Sequence, residues 1–322
     1  MSRAGKTASR VVALCGGVGG AKLALGLSRI LDGDRLSVVV NTGDDFNHFG
    51  LRICPDIDTV TYTLAGVVNE ATGWGRDEET WQFMASVRAL GGEHWFNLGD
   101  RDLATHAVRT ARLASGERFT TVTAAIAEAF GISAAILPVS DDPVSTIVYT
   151  DEGDLPFQRY FVGRRCEPRV RTLAFEGAAS ARLSPEVTAA LDDPDLGAIV
   201  VCPSNPYLSI DPMLAIPGLR ERIAGSKAPV IAVCPVVGGM AIKGPLAKMM
   251  AEFGVEISPQ TIADHYGDLI DILVADHVDR HLPVRGPRVH FAQTVMHDLN
   301  DKIALAREVM DLAAGHRGGE LR

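Results

Sequence analysis

The chain has 322 residues, 47% hydrophobic and 22% charged, with a formal net charge of −9. That length suits one sizeable α/β core with a smaller lobe, and the composition is that of a folded soluble domain rather than a disordered chain. The acidic balance excludes broad nucleic-acid binding, which needs a basic surface to replace condensed counterions. An anionic small molecule held by local cations and backbone N–H groups remains open.

Residues 1–10 carry Arg3, Lys6 and Arg10 and are expected to be flexible. The apolar run at 11–14 is cut by Cys15-Gly16-Gly17, too short for a signal-peptide core. No later run reaches the roughly 18 apolar residues of a membrane helix, so a cytoplasmic protein with no membrane partner is expected. Cys15, Cys54, Cys166, Cys202 and Cys234 are odd in number and widely spaced, which predicts reduced thiols with neither a disulfide framework nor a zinc site.

The first strand falls at 11–14, rich in β-branched residues, and runs through Gly16-Gly17-Val18-Gly19-Gly20 into a helical pattern over 21–31. Glycines at such a turn let backbone N–H groups face an anion without Cβ interference. Gly17, Gly19, Gly20 and Lys22 are therefore candidate phosphate contacts, with tight helix–sheet packing as the other use of the glycines. The spacing is not a P-loop, since Ala21 precedes Lys22 and Leu23 follows it. Lys22 also stands where a dinucleotide fingerprint wants glycine or alanine. A strand at 36–40 completes a βαβ unit with a buried parallel sheet.

Asn41-Thr42-Gly43-Asp44-Asp45 follows that strand directly, on the carboxyl edge where a parallel sheet opens to ligands. One acid there could bind a ribose, but two exceed that need. Pro55-Asp56-Ile57-Asp58 suits a helix start, so one of its acids can be a cap. At least one carboxylate among Asp44, Asp45, Asp56 and Asp58 is expected to meet Mg²⁺, a hard cation that prefers oxygen ligands and phosphates. Trp95-Phe96-Asn97 reads as a short strand before Leu98-Gly99-Asp100-Arg101-Asp102 and a helix over 103–113. Asp102 fits an N-cap. Arg101 is expected to be held by Asp100 and Asp102 and offered to a ligand, and His106 lies one turn on, within reach of Asp102.

A helix at 122–130 leads to a strand at 134–138 and to Pro138-Val139-Ser140-Asp141-Asp142-Pro143, a second acid pair that loop packing can also explain. Alternating runs at 146–149 and 157–161 predict an antiparallel hairpin joined through 151–154. Further strands at 198–202, 230–234 and 270–275 alternate with helices at 219–223, 246–253 and 299–312. The sum is an α/β fold: a doubly wound, Rossmann-like parallel sheet over 11–139 and 191–322, with a smaller lobe at 140–190 that contains the hairpin. Cys202-Pro203-Ser204-Asn205-Pro206 ends a strand and places Ser204 and Asn205 on the ligand edge, where hydroxyl and amide suit phosphate or base contacts. Lys243 is a further possible phosphate counter-charge. No Ser-His-Asp order or reactive-cysteine setting stands out, which leaves positioning and charge neutralisation, as in phosphoryl transfer.

Together the glycine turn, Asn41 to Asp45, Pro55-Asp56-Ile57-Asp58-Thr59-Val60, Leu98 to His106, Pro138 to Thr146 and Pro203-Ser204-Asn205-Pro206 resemble the 2-phospho-L-lactate transferase family. The resemblance runs from about residue 11 to the terminal helix. It implies an enzyme of coenzyme F-420 biosynthesis in which the ribityl hydroxyl of the deazaflavin Fo attacks a guanosine diphosphate-linked donor and releases GMP. The group moved is phospholactyl or, in the actinobacterial branch, phosphoenolpyruvyl. Mg²⁺ dependence and a homodimer are also implied. Carried onto the matching motifs, Asp58, Arg101 and Asp100 would contact Fo, Asp45 and Asp58 would be catalytic, and Asp44 and Asp45 would meet the metal. Gly17, Gly19, Gly20, Lys22, Ser204 and Asn205 would hold the guanylyl diphosphate. Two other readings of the sequence are a non-catalytic nucleotide-sugar-binding regulator, from a related family that shares the glycine turn and early aspartates, and an NAD-dependent oxidoreductase.

Overall fold

The structure is a computed structural model that describes residues 9–241 and 244–317; residues 1–8 of the amino-terminal segment, and Lys243, lie outside the described residues. The chain opens with β1 (Arg10–Cys15), α1 (Gly17–Ser28) and β2 (Leu36–Val40), the expected βαβ start. A short hairpin of β3 (Phe46–His48) and β4 (Leu51–Ile53) follows, then α2 (Pro55–Ala65), α3 (Gln82–Ala89), α4 (Asp100–Ala114) and α5 (Phe119–Ala129), before β5 (Ala135–Pro138). β6 (Ser145–Thr150), β7 (Gly153–Pro156) and β8 (Val170–Glu176) form a separate antiparallel sheet. The chain returns through α6 (Pro185–Leu191) and β9 (Leu196–Val201) to α7 (Asp211–Leu214), α8 (Leu219–Ala224) and β10 (Val230–Val233). A small ladder, β11 (Val236–Val237) with β12 (Met240–Ala241), precedes α9 (Leu246–Glu252), α10 (Pro259–Tyr266), β13 (Ile272–Asp276), β14 (Arg288–Ala292) and α11 (Leu299–Arg317).

Seven strands make one parallel sheet in the order β14-β13-β10-β9-β1-β2-β5. Helices cover both faces, so β1 is apolar at every inward position. Val11, Ala13 and Cys15 pack with α1, α2 and α11, while Val12 and Leu14 pack on the other side with α6, α7 and α8. From β1 the chain first builds outward through β2 and β5, then returns to build through β9, β10, β13 and β14. The reversal places a crevice between the carboxyl ends of β1 and β9, where open α/β sheets bind ligands.

Two sequence expectations need correction. Trp95-Phe96-Asn97 is not a strand; Trp95 and Phe96 instead join Phe46 and His48 in an aromatic cluster with ring centroids 4.9–6.2 Å apart. The second arm of the hairpin is β7 rather than 157–161. A two-residue turn brings β7 directly beside β6, and past Pro156 the chain coils instead, burying Phe157 and Tyr160. β14 was not legible because this edge strand is only partly buried and carries Arg288 and His290 in place of an apolar run. No helix among the described residues is long and apolar enough to cross a membrane, and all five cysteines are free.

Candidate active site

The glycine turn and the segment after β9 meet at the crevice. Gly16 N–H donates to Ser204 Oγ at 3.0 Å, and that hydroxyl donates back to the Gly16 carbonyl at 2.8 Å. A Cβ at Gly19 would lie 2.4 Å from the Pro203 carbonyl oxygen, and one at Gly20 would lie 2.4 Å from Ser204 Oγ. Gly19 is thus required by close backbone approach and Gly20 by the packed Ser204 and Cys15 side chains, and Gly17 sits at φ +62°. Asn205 caps the following turn, its Oδ1 accepting from Tyr207 and Leu208 N–H, while its Nδ2 is buried with no partner among the described residues. Lys22 donates to the Met296 carbonyl at 2.7 Å, tying α1 to the segment before α11.

Asp56 does cap a helix, but not its own. Its Oδ1 accepts from Gly17 N–H at 2.7 Å, closing the first turn of α1, and its Oδ2 accepts from Asn41 Nδ2 at 2.9 Å. The same amide donates to Asp44 Oδ1 at 2.8 Å, so one asparagine holds two buried acids side by side. Burial and the neighbouring Asp56 push the Asp44 carboxyl well above the carboxylate range. Burial raises Asp56 to about 6 against the pull of its Asn41 and Gly17 hydrogen bonds. An anion at the glycine turn would therefore meet acids, and these oxygen donors are of the type a hard cation takes.

Asp45 points elsewhere. Its Oδ2 pairs with Arg52 Nη2 at 3.0 Å, and its Oδ1 is buried with no donor aligned on it. Burial raises this carboxyl to about 6 in spite of Arg52. Asp44 and Asp45 border a half-open cavity of about 290 Å³ whose far wall is the antiparallel lobe, through Thr146, Ile147, Phe157 and Gln158.

Asp58 belongs to a third group. Arg109 of α4 binds both of its oxygens, Nη1 to Oδ2 at 3.1 Å and Nη2 to Oδ1. Nη1 also lies 3.3 Å from His106 Nδ1. Nδ1 also lies 3.5 Å from Asp58 Oδ2, and Nε2 lies 3.3 Å from Asp102 Oδ2 without an aligned hydrogen bond. Tyr62 donates its hydroxyl to Asp102 Oδ1 at 2.6 Å. Asp58, Asp102 and His106 present ligand-type atoms within 4.8 Å of one another, but Arg109 already supplies positive charge there.

The expected clasp of Arg101 by Asp100 and Asp102 does not form. Successive residues in a helix's first turn point about 100° apart, and these three go separate ways. Asp100 caps α3 through Gln82 and Phe83 N–H, Asp102 turns inward, and Arg101 pairs with exposed Glu78 at 3.0 Å. Glu79, not Asp102, caps α4 by accepting from Arg101 and Asp102 N–H. Asp141 of the second acid pair accepts from Thr120 N–H at the start of α5, a packing role. Arg109, Arg52 and Tyr62 carried no role in the sequence reading. Arg109 had a readable signal, because Asp102, His106 and Arg109 share one face of α4 at spacings of four and three.

Fold and crevice together define a Rossmann-like α/β enzyme with its acids gathered on the ligand edge of the sheet. The chain belongs to the family described as 2-phospho-L-lactate transferase CofD, whose profile matches residues 11–312. It is 40% identical over 314 residues to the phosphoenolpyruvate transferase of Streptomyces griseus subsp. griseus, covering 94% of this chain and 98% of that one. It is 39% identical over 270 residues to the 2-phospho-L-lactate transferase of Methanosarcina mazei, covering 84% and 88%. Among solved structures, a UPF0052-family protein from Bacillus halodurans shares the fold at a TM-score of 0.61 with 15% identity, covering 95% of this chain and all of that one.

Proposed function

We propose that this protein transfers a phosphoenolpyruvyl or phospholactyl group from a guanosine diphosphate-linked donor to the ribityl hydroxyl of the deazaflavin Fo, in coenzyme F-420 biosynthesis. Family membership supports the reaction class. The fuller overlap with phosphoenolpyruvate transferases, 94% of the chain against 84%, favours the enolpyruvyl donor. The observation that carries the reading is the set of buried, mutually repelling acids Asp44, Asp45 and Asp56 at the carboxyl edge of β1 and β2.

The hydroxyl oxygen forms a bond to the phosphorus that bears the three-carbon acid, and the bond from that phosphorus to the bridging oxygen of the guanylyl group breaks. GMP leaves with the electron pair, and the hydroxyl proton passes to Asp45, a carboxyl that burial raises to about 6 against the pull of Arg52 and Cys54. In this reading Asp44, beside Asp56, would hold Mg²⁺ with Asp45 next to it, and Asp45 would orient the hydroxyl; the separate partners of the two acids, Asn41 and Arg52, support that division. Bound there, Mg²⁺ supplies the positive charge that offsets the diphosphate. Asn205 Nδ2 and the glycine turn would receive the guanylyl diphosphate, and Asp58, both of whose oxygens Arg109 binds, would meet Fo only by sharing that guanidinium. A cytoplasmic homodimer completes the reading.

Purified protein incubated with Fo, Mg²⁺ and each donor should form product by mass analysis and release GMP, and EDTA should stop both. Asp45→Asn should lower turnover about 10²–10⁴-fold. A near-normal rate in that variant removes Asp45 from the chemistry.

A further inference from the structure

The cavity between Asp45 and the antiparallel lobe has an asymmetry of charge. Asp44, Asp45 and Glu176 border it, and among the described residues that line it Arg52 is the one cationic side chain. Arg52 is fixed before any ligand arrives. It sits at the centre of β4, its N–H donates to Thr110 Oγ1 at 2.8 Å, and its carbonyl accepts from Arg109 at 3.3 Å. Its guanidinium rides 5.9 Å over the Phe119 ring. Among the described residues Asp45 is the one carboxylate within 4 Å of the guanidinium, which it meets at Nη2, and the Arg52 side chain is 23% exposed and borders a cavity of about 290 Å³. A second polar group borders the same space without a partner: Thr146 Oγ1 is buried and makes no hydrogen bond.

Both candidate transferred units are 2-oxy three-carbon acids. Their carboxylate carbon lies two bonds from the oxygen carried by the reacting phosphorus. When that phosphorus faces the hydroxyl held by Asp45, the carboxylate has to lie within a few ångströms of Asp45, in a cavity whose other charges repel it. A guanidinium anchored through one nitrogen keeps the rest of its planar fork for a second oxyanion and loses little freedom on binding it. We propose that Arg52, assisted by the Thr146 hydroxyl, receives the carboxylate of the transferred three-carbon acid and so selects donors that carry one. The assignment rests on the transfer reading given above.

The test compares two guanosine diphosphate-linked donors, one carrying phosphoenolpyruvate and one a vinyl analogue lacking the carboxylate, with wild type, Arg52→Met and Arg52→Lys. Wild type should favour the acid donor in kcat/KM by about 10²-fold, the usual scale for truncating one side of a charged pair. Arg52→Met should slow both donors by unpairing Asp45 but should slow the acid donor further, so that the preference is lost, and Arg52→Lys should restore part of it. Arg52→Lys keeps the charge and stem, so it still decides the matter if Arg52→Met fails to fold. A preference that survives both substitutions, or an equal loss on both donors, overturns the role of Arg52 while product formation leaves the transfer reading standing. No product from wild type with either donor overturns both.

Discussion

Asp44, Asp45 and Asp56 are 7%, 4% and 5% exposed, and Asp58 is 5% exposed, so burial does not distinguish the acids of the crevice from the acid that faces α4. Partners do. Asp58 has a guanidinium on both oxygens, and Asp102 is held below the carboxylate range because His106 and the Tyr62 hydroxyl outweigh its burial. Asp44 and Asp56 share one neutral amide, and Asp45 keeps an oxygen with no donor. In one region a cation meets the Asp58 carboxylate, although His106 Nε2 and Arg109 Nε stay buried without an aligned partner among the described residues, and in the other Asp44 and Asp56 meet no cation. A buried charge without a counter-charge is costly; Asp44 and Asp56 have hydrogen bonds but no cation, whereas Asp45 has Arg52 on one oxygen, and under the proposed function substrate and cation would relieve that cost.

Breaking the Asp58 region should have the largest effect. Arg109→Met orphans Asp58 and should cost about 3–5 kcal/mol in denaturant unfolding at pH 7. Adding Asp58→Asn should recover part of that loss, since it removes the stranded charge. A cost below about 1 kcal/mol would erase the contrast between the regions.

Relieving the Asp44 region should do the opposite. Asp44→Asn keeps an acceptor for Asn41 but discards the buried charge, and should raise the melting temperature of the ligand-free protein at pH 8 by about 2–4 °C. The pH dependence fixes the sign. A carboxyl raised in the folded state contributes stability while protonated and loses it as pH climbs through its raised pKa. The gap between variant and wild type should therefore be widest at pH 8 and close towards pH 4. Mg²⁺ should raise the melting temperature of wild type at pH 8 and leave Asp44→Asn unmoved. A gap that is constant with pH would show that Asp44 is not the strained group.

The smallest change belongs outside both regions. Arg101 is half exposed and its partner Glu78 more so, so Arg101→Ala should alter stability by less than about 0.5 kcal/mol. Its KM for Fo, measured alongside, reads out any ligand contact separately from folding.

The sequence by itself determined the parts whose cause is local. The continuous apolar runs of β1 and β2, the glycine turn and the acids directly after β2 follow from burial of a parallel sheet on both faces and from the place of a parallel strand's carboxyl end, and the ordered motifs were specific enough to identify the family. Tertiary structure decided which acid receives which partner. Arg109 comes to Asp58 across 51 residues, and Asp56 comes to Gly17 across 39. Two neighbouring residues, Asp44 and Asp45, part company because Asn41 takes one and Arg52 the other. Charge identity is written in a carboxylate, whereas its pKa and use are set by what folding brings within a few ångströms, where the interaction falls off with distance and is scaled by burial.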